Sequence, residues 1–177
     1  LLDILDKDKL AYILVLNGQD RYAWHKQLRA RLASKMMGNS SDETHRIIFY
    51  SVTSDHDMAS MYQASHVVLD TFPVGGTVTS LQAFSVGMPV VTLPGKQLGG
   101  RLTYAMYQKM GITDCIASSV KDYAKKALKI AHSSSTRERI TSLILAKNHR
   151  LFHDLGAVLE WDRFLQESVV AAAQHSR

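Results

Sequence analysis

Short apolar segments that alternate with segments of helical spacing constrain the fold of this chain more than any other feature. Strands that alternate with helices are typical of parallel βαβ units. Runs that are continuously apolar, such as AYILVL, indicate strands covered on both faces of a sheet. We therefore predict a Rossmann-like, doubly wound parallel sheet of the α/β class. Its predicted strands lie at 11–16, 47–50, 66–69, 90–93 and 114–117.

The remaining segments predict helices. Residues 1–10 contain the end of one helix, and the other predicted helices lie at 21–37, 55–63, 79–86, 100–110, 120–131, 137–152 and around 158–169. We expect one domain over residues 1–177, in which the helices from about residue 137 pack back on the sheet. Helical spacing favours core positions for Trp24, Trp161 and Phe164. Because the chain begins without Met, we expect it to be a piece of a longer protein.

The composition limits the kinds of partner that we expect for this chain. No segment approaches the roughly 18 consecutive apolar residues that a membrane helix needs, so we expect no membrane contact. The net charge of +5 could serve an anionic ligand, although a solvated basic surface explains it more simply. The basic residues do not gather into a run with interleaved aromatics, so we do not expect nucleic-acid binding. The single Cys115 excludes an internal disulfide and fits the cytoplasm.

The stretch LDTFPVGGTVTSLQAFSVGMPVVTLPG, residues 69–95, carries the strongest functional signal. In an open parallel sheet, ligands bind beyond the carboxyl ends of the strands, where 70–80 is placed. Gly75 and Gly76 can take backbone angles closed to other residues and let a ligand approach the main chain. Thr77, Thr79 and Ser80 offer hydroxyls beside a helix N-terminus, whose free N–H groups favour phosphate.

These residues predict a diphosphate-binding loop, but an ordinary βα turn with helix-capping residues explains them equally well. The stretch matches neither GxGxxG nor GxxxxGK[ST], so two common nucleotide-binding motifs are excluded. Asp70 ends a predicted strand and either caps the turn or accepts from a ligand hydroxyl. Lys96 follows Pro94-Gly95 and either reaches an anionic ligand or is a surface lysine. His56 and His66 have no metal-ligand spacing, and we expect no metal site.

Three blocks resemble the C-terminal catalytic half of O-linked N-acetylglucosamine transferases, and most of all their bacterial-type, SPINDLY-like members that often follow tetratricopeptide repeats. The blocks are HRIIF…MYQASHVVLDTFPVGGTVTSLQAFSVGMPVVTLPG, GGRLTYAMYQKMGITDCIA and LFHDLGAVLEWDRFL. The resemblance implies a GT-B fold, in which two Rossmann-like halves enclose the active site. It also implies that this half binds the nucleotide-sugar donor, usually a UDP-sugar.

The resemblance also assigns site residues. It places the diphosphate loop on Thr77, Val78, Thr79 and Ser80, the ribose contact on Gln82, and the uracil wall on Val52, Thr53, Met58 and Met61. This chain departs from the pattern at three places. Gln82 stands where relatives use a carboxylate, Val78 replaces a polar side chain, and a basic residue seen around 58–61 in some members is absent.

Two functions follow from the resemblance. The first is the donor-binding half of an inverting O-glycosyltransferase, which acts on a protein or another hydroxyl acceptor and needs no metal or other cofactor. Its general base would lie in the N-terminal half of the GT-B enzyme, so we name no catalytic residue here and expect this half alone to be inactive. The second is a degenerate, non-catalytic module kept for protein interaction, which the departures at Gln82 and Val78 favour.

Overall fold

A computed structural model describes residues 1–17, 22–36, 43–152 and 154–175. Four short strands and nine α-helices are found in these ranges. In chain order they are α1 (Leu2–Lys7), β1 (Ile13–Asn17), α2 (Tyr22–Met36), β2 (Ile47–Ser51), α3 (Asp55–Ala64), β3 (Val68–Leu69), α4 (Val78–Ser85), β4 (Val90–Val91), α5 (Leu102–Met110), α6 (Val120–His132), α7 (Ser134–Lys147), α8 (His149–Phe152) and α9 (Leu155–His175). Short 3₁₀ helices, Glu43–Arg46 and Leu98–Gly100, precede β2 and α5.

The strands pair in parallel, which confirms the predicted fold class. β1 pairs with β2 from Ile13 opposite Ile47, and β3 pairs with β4 from Val68 opposite Val90. The predicted fifth strand at 114–117 is reduced to one parallel bridge between Thr92 and Ile116. Residues 114 and 115 lie in a turn, so only the end of this segment can extend the β3–β4 pair. The predicted strand is therefore corrected to a bridge.

A dense core lies beneath the loop at 70–77. Phe84 of α4 and Tyr107 of α5 are fully buried and meet edge to face, with ring centroids 4.8 Å apart. The Tyr107 hydroxyl accepts from the N–H of Val90 at 2.9 Å, so α5 is tied to β4. Cys115 is buried beside Tyr107, and burial raises the pKa of its thiol to about 11. The thiol therefore stays protonated and acts as a packing group.

The C-terminal end of α4 is fixed against α7. Gly87 ends the helix with a positive φ of 75°, a conformation that L side chains rarely adopt. A Cβ at Gly87 would lie 2.8 Å from Cγ of Leu145, so the chain also passes close to α7 there. The Asn148 side chain donates to the main-chain oxygen of Phe84 at 3.1 Å. Helix α4, which begins at the candidate site, is thus held firmly at its far end.

The C-terminal helices differ from the sequence prediction. Residues 137–152 form two helices, α7 and α8, that meet at Asn148. Helix α7 buries Ile140 and Ile144, whereas Trp161 and Phe164 of α9 are 64% and 58% exposed. The predicted core positions of Trp161 and Phe164 are therefore wrong, because the two rings pack edge to face on each other at the surface.

The side chain of Trp24 is not among those that the structure describes. In the described ranges, no helix combines the length and the apolar character that spanning a bilayer requires.

Candidate functional site

The first turn of α4 exposes main-chain N–H groups that have no partner within the helix. The first helical hydrogen bond runs from Leu81 N–H to Thr77 O at 3.1 Å, and the Thr77 side chain makes no capping bond. The N–H groups of Val78, Thr79 and Ser80 are therefore left for another acceptor. No acidic residue lies within this turn, so no side chain of the helix itself opposes an anion there. This end of α4 has the electrostatics of an anion site.

The three predicted hydroxyls at this turn do not have the same role. Thr77 and Thr79 are exposed, and their hydroxyls can reach a ligand. Ser80 is buried, and its hydroxyl pairs with that of Thr103 at 2.8 Å. The Thr103 hydroxyl also donates to the main-chain oxygen of Gly76 at 3.3 Å. The Ser80 side chain therefore joins α4 to α5, and its main-chain N–H is the group of this residue that is left without a helical partner.

Gly75 and Gly76 are required for space and not for unusual backbone angles. Neither glycine has a positive φ, so the expectation of special backbone angles is wrong. A Cβ at Gly75 would lie 2.9 Å from both carboxylate oxygens of Asp70. A Cβ at Gly76 would lie 2.6 Å from Oγ1 of Thr79 and 2.7 Å from Oγ of Ser80. The loop is thus folded closely around the Asp70 carboxylate and the first turn of α4.

Asp70 is buried at the end of β3 and holds the loop through its carboxylate. Its Oδ1 accepts from Gly76 N–H at 2.7 Å, and its Oδ2 accepts from the Thr92 hydroxyl at 2.7 Å. The Tyr123 hydroxyl donates to its main-chain oxygen at 2.8 Å. Burial, followed by the charge of Asp70, raises the pKa of Tyr123, so that hydroxyl stays protonated. Of the two interpretations of Asp70, these contacts support the turn cap.

The segment after β4 supports the same loop from the other side. Gly75 N–H donates to Gly99 O at 2.8 Å, and Gly95 N–H donates to Gly100 O at 2.9 Å. A Cβ at Gly100 would lie only 2.3 Å from the main-chain oxygen of Pro73. Lys96 is exposed on this segment and makes no hydrogen bond or ion pair with the part of the chain that is described. Its ammonium group is therefore available to an anion.

The loop after β2 is fixed by hydrogen bonds between Asp57, in the first turn of α3, and the two residues that precede the helix. Thr53 donates both its N–H and its hydroxyl to Oδ2 of Asp57, at 2.9 and 2.7 Å. Asp57 N–H in turn donates to Oγ of Ser54 at 3.1 Å. The bonds from Thr53 are the main cause that lowers the pKa of Asp57 to about 2. Because both of its donors are used, Thr53 can only accept hydrogen bonds from a ligand.

The other residues predicted to contact the base and the ribose differ in how exposed their side chains are. Val52 and Met58 are half-buried and retain exposed surface, whereas Met61 is buried in the core. The Met61 side chain therefore supports the fold in this structure and does not line an open wall. Gln82 is half-buried, and its side chain makes no hydrogen bond with the residues described. The Gln82 amide is thus free to meet a ligand.

Sequence reasoning missed several residues that support the loop, namely Thr92, Gly99, Gly100, Thr103 and Tyr123. Thr92 gave a usable signal, since it is the polar residue inside the apolar segment VVTL and is fully buried. A buried hydroxyl needs a partner, and its partner is Asp70. Thr103 and Tyr123 gave no comparable signal, because each lies on an amphipathic helix where polar residues are common.

Comparisons with known proteins point to one family. The sequence profile of glycosyl transferase family 41 matches residues 25–154, well over half of the chain. A probable UDP-N-acetylglucosamine–peptide N-acetylglucosaminyltransferase SPINDLY from Hordeum vulgare is 29% identical over 86 residues, 49% of this chain and 9% of the relative. A UDP-N-acetylglucosamine–peptide N-acetylglucosaminyltransferase from Caenorhabditis elegans is 25% identical over 129 residues, 67% of this chain and 11% of the relative.

Among solved structures, a mutant of the Thermobaculum terrenum O-GlcNAc transferase matches 99% of this chain with a TM-score of 0.78. At 24% sequence identity, the match shows that the two share a fold. The chain spans 33% of that protein and about a tenth of the curated relatives, so the relatives contain much more than the region compared.

Proposed function

The chain belongs to glycosyl transferase family 41, and from that membership we propose that it is the donor-binding half of an inverting O-glycosyltransferase. The donor is a UDP-sugar similar to UDP-N-acetylglucosamine, which the names of both curated relatives contain. The acceptor is a hydroxyl group of a protein or of another molecule. The observation that carries the proposal is the uncapped first turn of α4, whose N–H groups at Val78, Thr79 and Ser80 have no helical partner.

These groups suit the leaving diphosphate of a glycosyl transfer. The acceptor oxygen attacks the anomeric carbon, and the bond between that carbon and the diphosphate oxygen breaks. Negative charge then grows on the diphosphate, where fixed N–H donors and a helix N-terminus stabilise it without reorganising. Lys96 can add a positive charge from the segment after β4. The chain's own groups thus supply the positive potential, so the proposal includes no metal or other cofactor.

The nucleoside lies across the first turns of α3 and α4 in this proposal. The Gln82 amide meets a ribose hydroxyl, Met58 packs on the base, and Thr53 accepts from an N–H of the base. The uracil ring offers one such N–H on its hydrogen-bonding edge. Two observations support this arrangement. Both hydrogen-bond donors of Thr53 are already bonded to Asp57, and the side-chain amide of Gln82 has no hydrogen-bond partner among the described residues.

The reaction needs groups that we do not assign to this chain. A second Rossmann-like half, of the kind present in GT-B enzymes, would supply the general base that takes the acceptor proton and would close the cleft over the sugar. The small share of each relative that the chain spans supports this partner. We therefore expect the 177-residue chain alone to bind donor but to transfer no sugar. We place the reaction in the cytoplasm, whose reducing conditions suit a chain with one free cysteine.

Calorimetric titration tests the proposed donor site. UDP and UDP-N-acetylglucosamine should bind, whereas uridine, which lacks the diphosphate, should bind at least about tenfold more weakly if a few charge-assisted bonds are lost. ADP serves as the control for the base and should bind more weakly than UDP. Equal affinity for uridine and UDP would show that the diphosphate is not recognised.

A non-catalytic interaction module is the second candidate. The observation in its favour is Val78, whose side chain is 64% exposed at the first position of α4, where a hydroxyl would add a donor for the ligand. An apolar side chain at this position weakens a phosphate site without harming the helix. The titration separates the two candidates, because an interaction module predicts no heat with any nucleoside diphosphate at millimolar concentration.

A further inference from the structure

We propose that Asp70 is a positioning residue, whose buried carboxylate shapes the loop so that the N–H groups at the start of α4 face the donor diphosphate. The inference rests on the proposed function for the identity of the ligand. The role of Asp70 in shaping the loop, however, follows from the observed hydrogen bonds and does not depend on the ligand. Asp70 is 6% exposed, and its two carboxylate oxygens are each taken by one donor, Gly76 N–H and the Thr92 hydroxyl.

The two peptide groups around Gly76 explain how the carboxylate acts. Asp70 draws the N–H of Gly76 inward, and the Thr103 hydroxyl draws the carbonyl of Gly76 inward as well. In a planar trans peptide, the N–H of the next residue points opposite to the carbonyl. The N–H of Thr77 must therefore point away from the interior, toward the same open side as the first turn of α4. Asp70 and Thr103 thus fix where the row of N–H groups begins.

The negative charge of the Asp70 carboxylate indicates that this side chain does not itself bind the diphosphate. A carboxylate repels a diphosphate, and within the described ranges no cation pairs with Asp70. Burying a carboxylate is costly unless its hydrogen bonds are satisfied, and here two short bonds satisfy it. The contribution of Asp70 to donor binding is therefore geometric. A neutral side chain that preserves both bonds should preserve binding.

Two substitutions of Asp70 should therefore have different effects. In Asp70→Asn, the amide oxygen still accepts from Gly76 N–H, and the amide nitrogen donates to the Thr92 hydroxyl after that hydroxyl rotates. In Asp70→Ala, both bonds are lost and the loop is released. We expect Asp70→Asn to bind UDP within about threefold of the wild type and Asp70→Ala to bind at least about tenfold more weakly, as for the loss of two hydrogen bonds that order a site.

A matched control separates positioning from general stability. Ile130→Ala removes a buried side chain from α6 about two turns beyond Tyr123, the residue of that helix that bonds to Asp70. It should lower the melting temperature at least as much as Asp70→Ala while leaving the affinity for UDP unchanged. All titrations are run well below the lowest melting temperature. If Ile130→Ala weakens UDP binding as much as Asp70→Ala does, the role of Asp70 is structural only and the inference fails.

The Gly76 amide gives a readout that needs no ligand. A hydrogen bond to a side-chain oxygen shifts its proton resonance downfield and slows its exchange with solvent, and both effects should disappear in Asp70→Ala and persist, with a smaller downfield shift, in Asp70→Asn. An unchanged Gly76 amide resonance in Asp70→Ala would overturn the inference, whether or not nucleotides bind. Failure of the wild type to bind any nucleotide would refute the proposed function separately. Wild-type UDP affinity in Asp70→Ala would overturn the inference and leave the donor site standing. Equal losses in Asp70→Asn and Asp70→Ala would show that the charge itself is needed, contrary to the proposal.

Discussion

Tyr62 of α3 donates its hydroxyl to the main-chain oxygen of Thr79 in the first turn of α4, at 2.9 Å. This bond joins the helix that follows Thr53 to the helix that carries the N–H groups. Tyr62 is buried, and burial raises the pKa of its hydroxyl, so it remains a donor at all ordinary pH values. This hydrogen bond thus helps to fix the distance between the proposed base contacts and the proposed diphosphate contacts.

Removing that hydroxyl tests the connection. Tyr62→Phe should lower the free energy of unfolding by about 1 kcal/mol, since Thr79 O loses a partner in a partly buried place. It should weaken UDP binding more than it weakens binding of inorganic pyrophosphate, because only UDP contacts both helices. The control is Tyr12→Phe, which changes an exposed tyrosine on the same chain. Equal effects on UDP and pyrophosphate would contradict the role of Tyr62 in spacing the two loops.

Two adjacent glycines give a second matched test. Gly100→Ala would place a Cβ 2.3 Å from Pro73 O, whereas a Cβ at Gly99 meets nothing closer than 3.9 Å. We expect Gly100→Ala to destabilise the fold by about 1–3 kcal/mol, as overpacking does, and Gly99→Ala to cost less than about 1 kcal/mol. Denaturant unfolding of both variants measures the difference. Similar stabilities would contradict the close approach of the 95–100 segment to the loop.

The sequence predicted the parallel fold because its strands are apolar on both faces and its helices have clear breakers. It did not predict the positions of Trp161 and Phe164, since helical spacing marks an apolar face but not what covers that face. The same limit applies to 114–117, where an apolar pattern could not distinguish a strand from a turn that makes one bridge.

The candidate site was predictable in its location but not in its internal contacts. A Gly-Gly turn before a hydroxyl-rich helix start indicated the anion site at Thr77–Ser80. The sequence could not show that Gly75 and Gly76 are small because the loop folds around Asp70, since that contact depends on packing between distant segments. It also could not show that Met61 is buried in the core whereas Met58 packs on the core only partly buried, as both lie on one helix face.

Gln82 provides a gain-of-function test. Its amide is free of hydrogen bonds in the described part of the chain, and the side chain is half-buried. Gln82→Glu should therefore tighten UDP binding at pH 7 about fivefold, because a charged acceptor adds about 1 kcal/mol to a bond from a ribose hydroxyl. The gain should be smaller for 2′-deoxy-UDP if the 2′-hydroxyl is held. Weaker binding together with a lower melting temperature would remove Gln82 from the site.

The central claim is that the main chain at the start of α4 binds a nucleoside diphosphate, and titration of UDP into three proteins tests it most directly. In Gly76→Val the new side chain would have to displace the Thr79 and Ser80 hydroxyls, which lie 2.6 and 2.7 Å from its Cβ. In Thr79→Ala the main chain stays in place and one exposed hydroxyl is lost, at a cost of about 1 kcal/mol. We expect the wild type to bind UDP, Thr79→Ala to bind about fivefold more weakly, and Gly76→Val to lose binding by a much larger factor while remaining folded at the temperature of the titration. Wild-type affinity in both variants would contradict the diphosphate site.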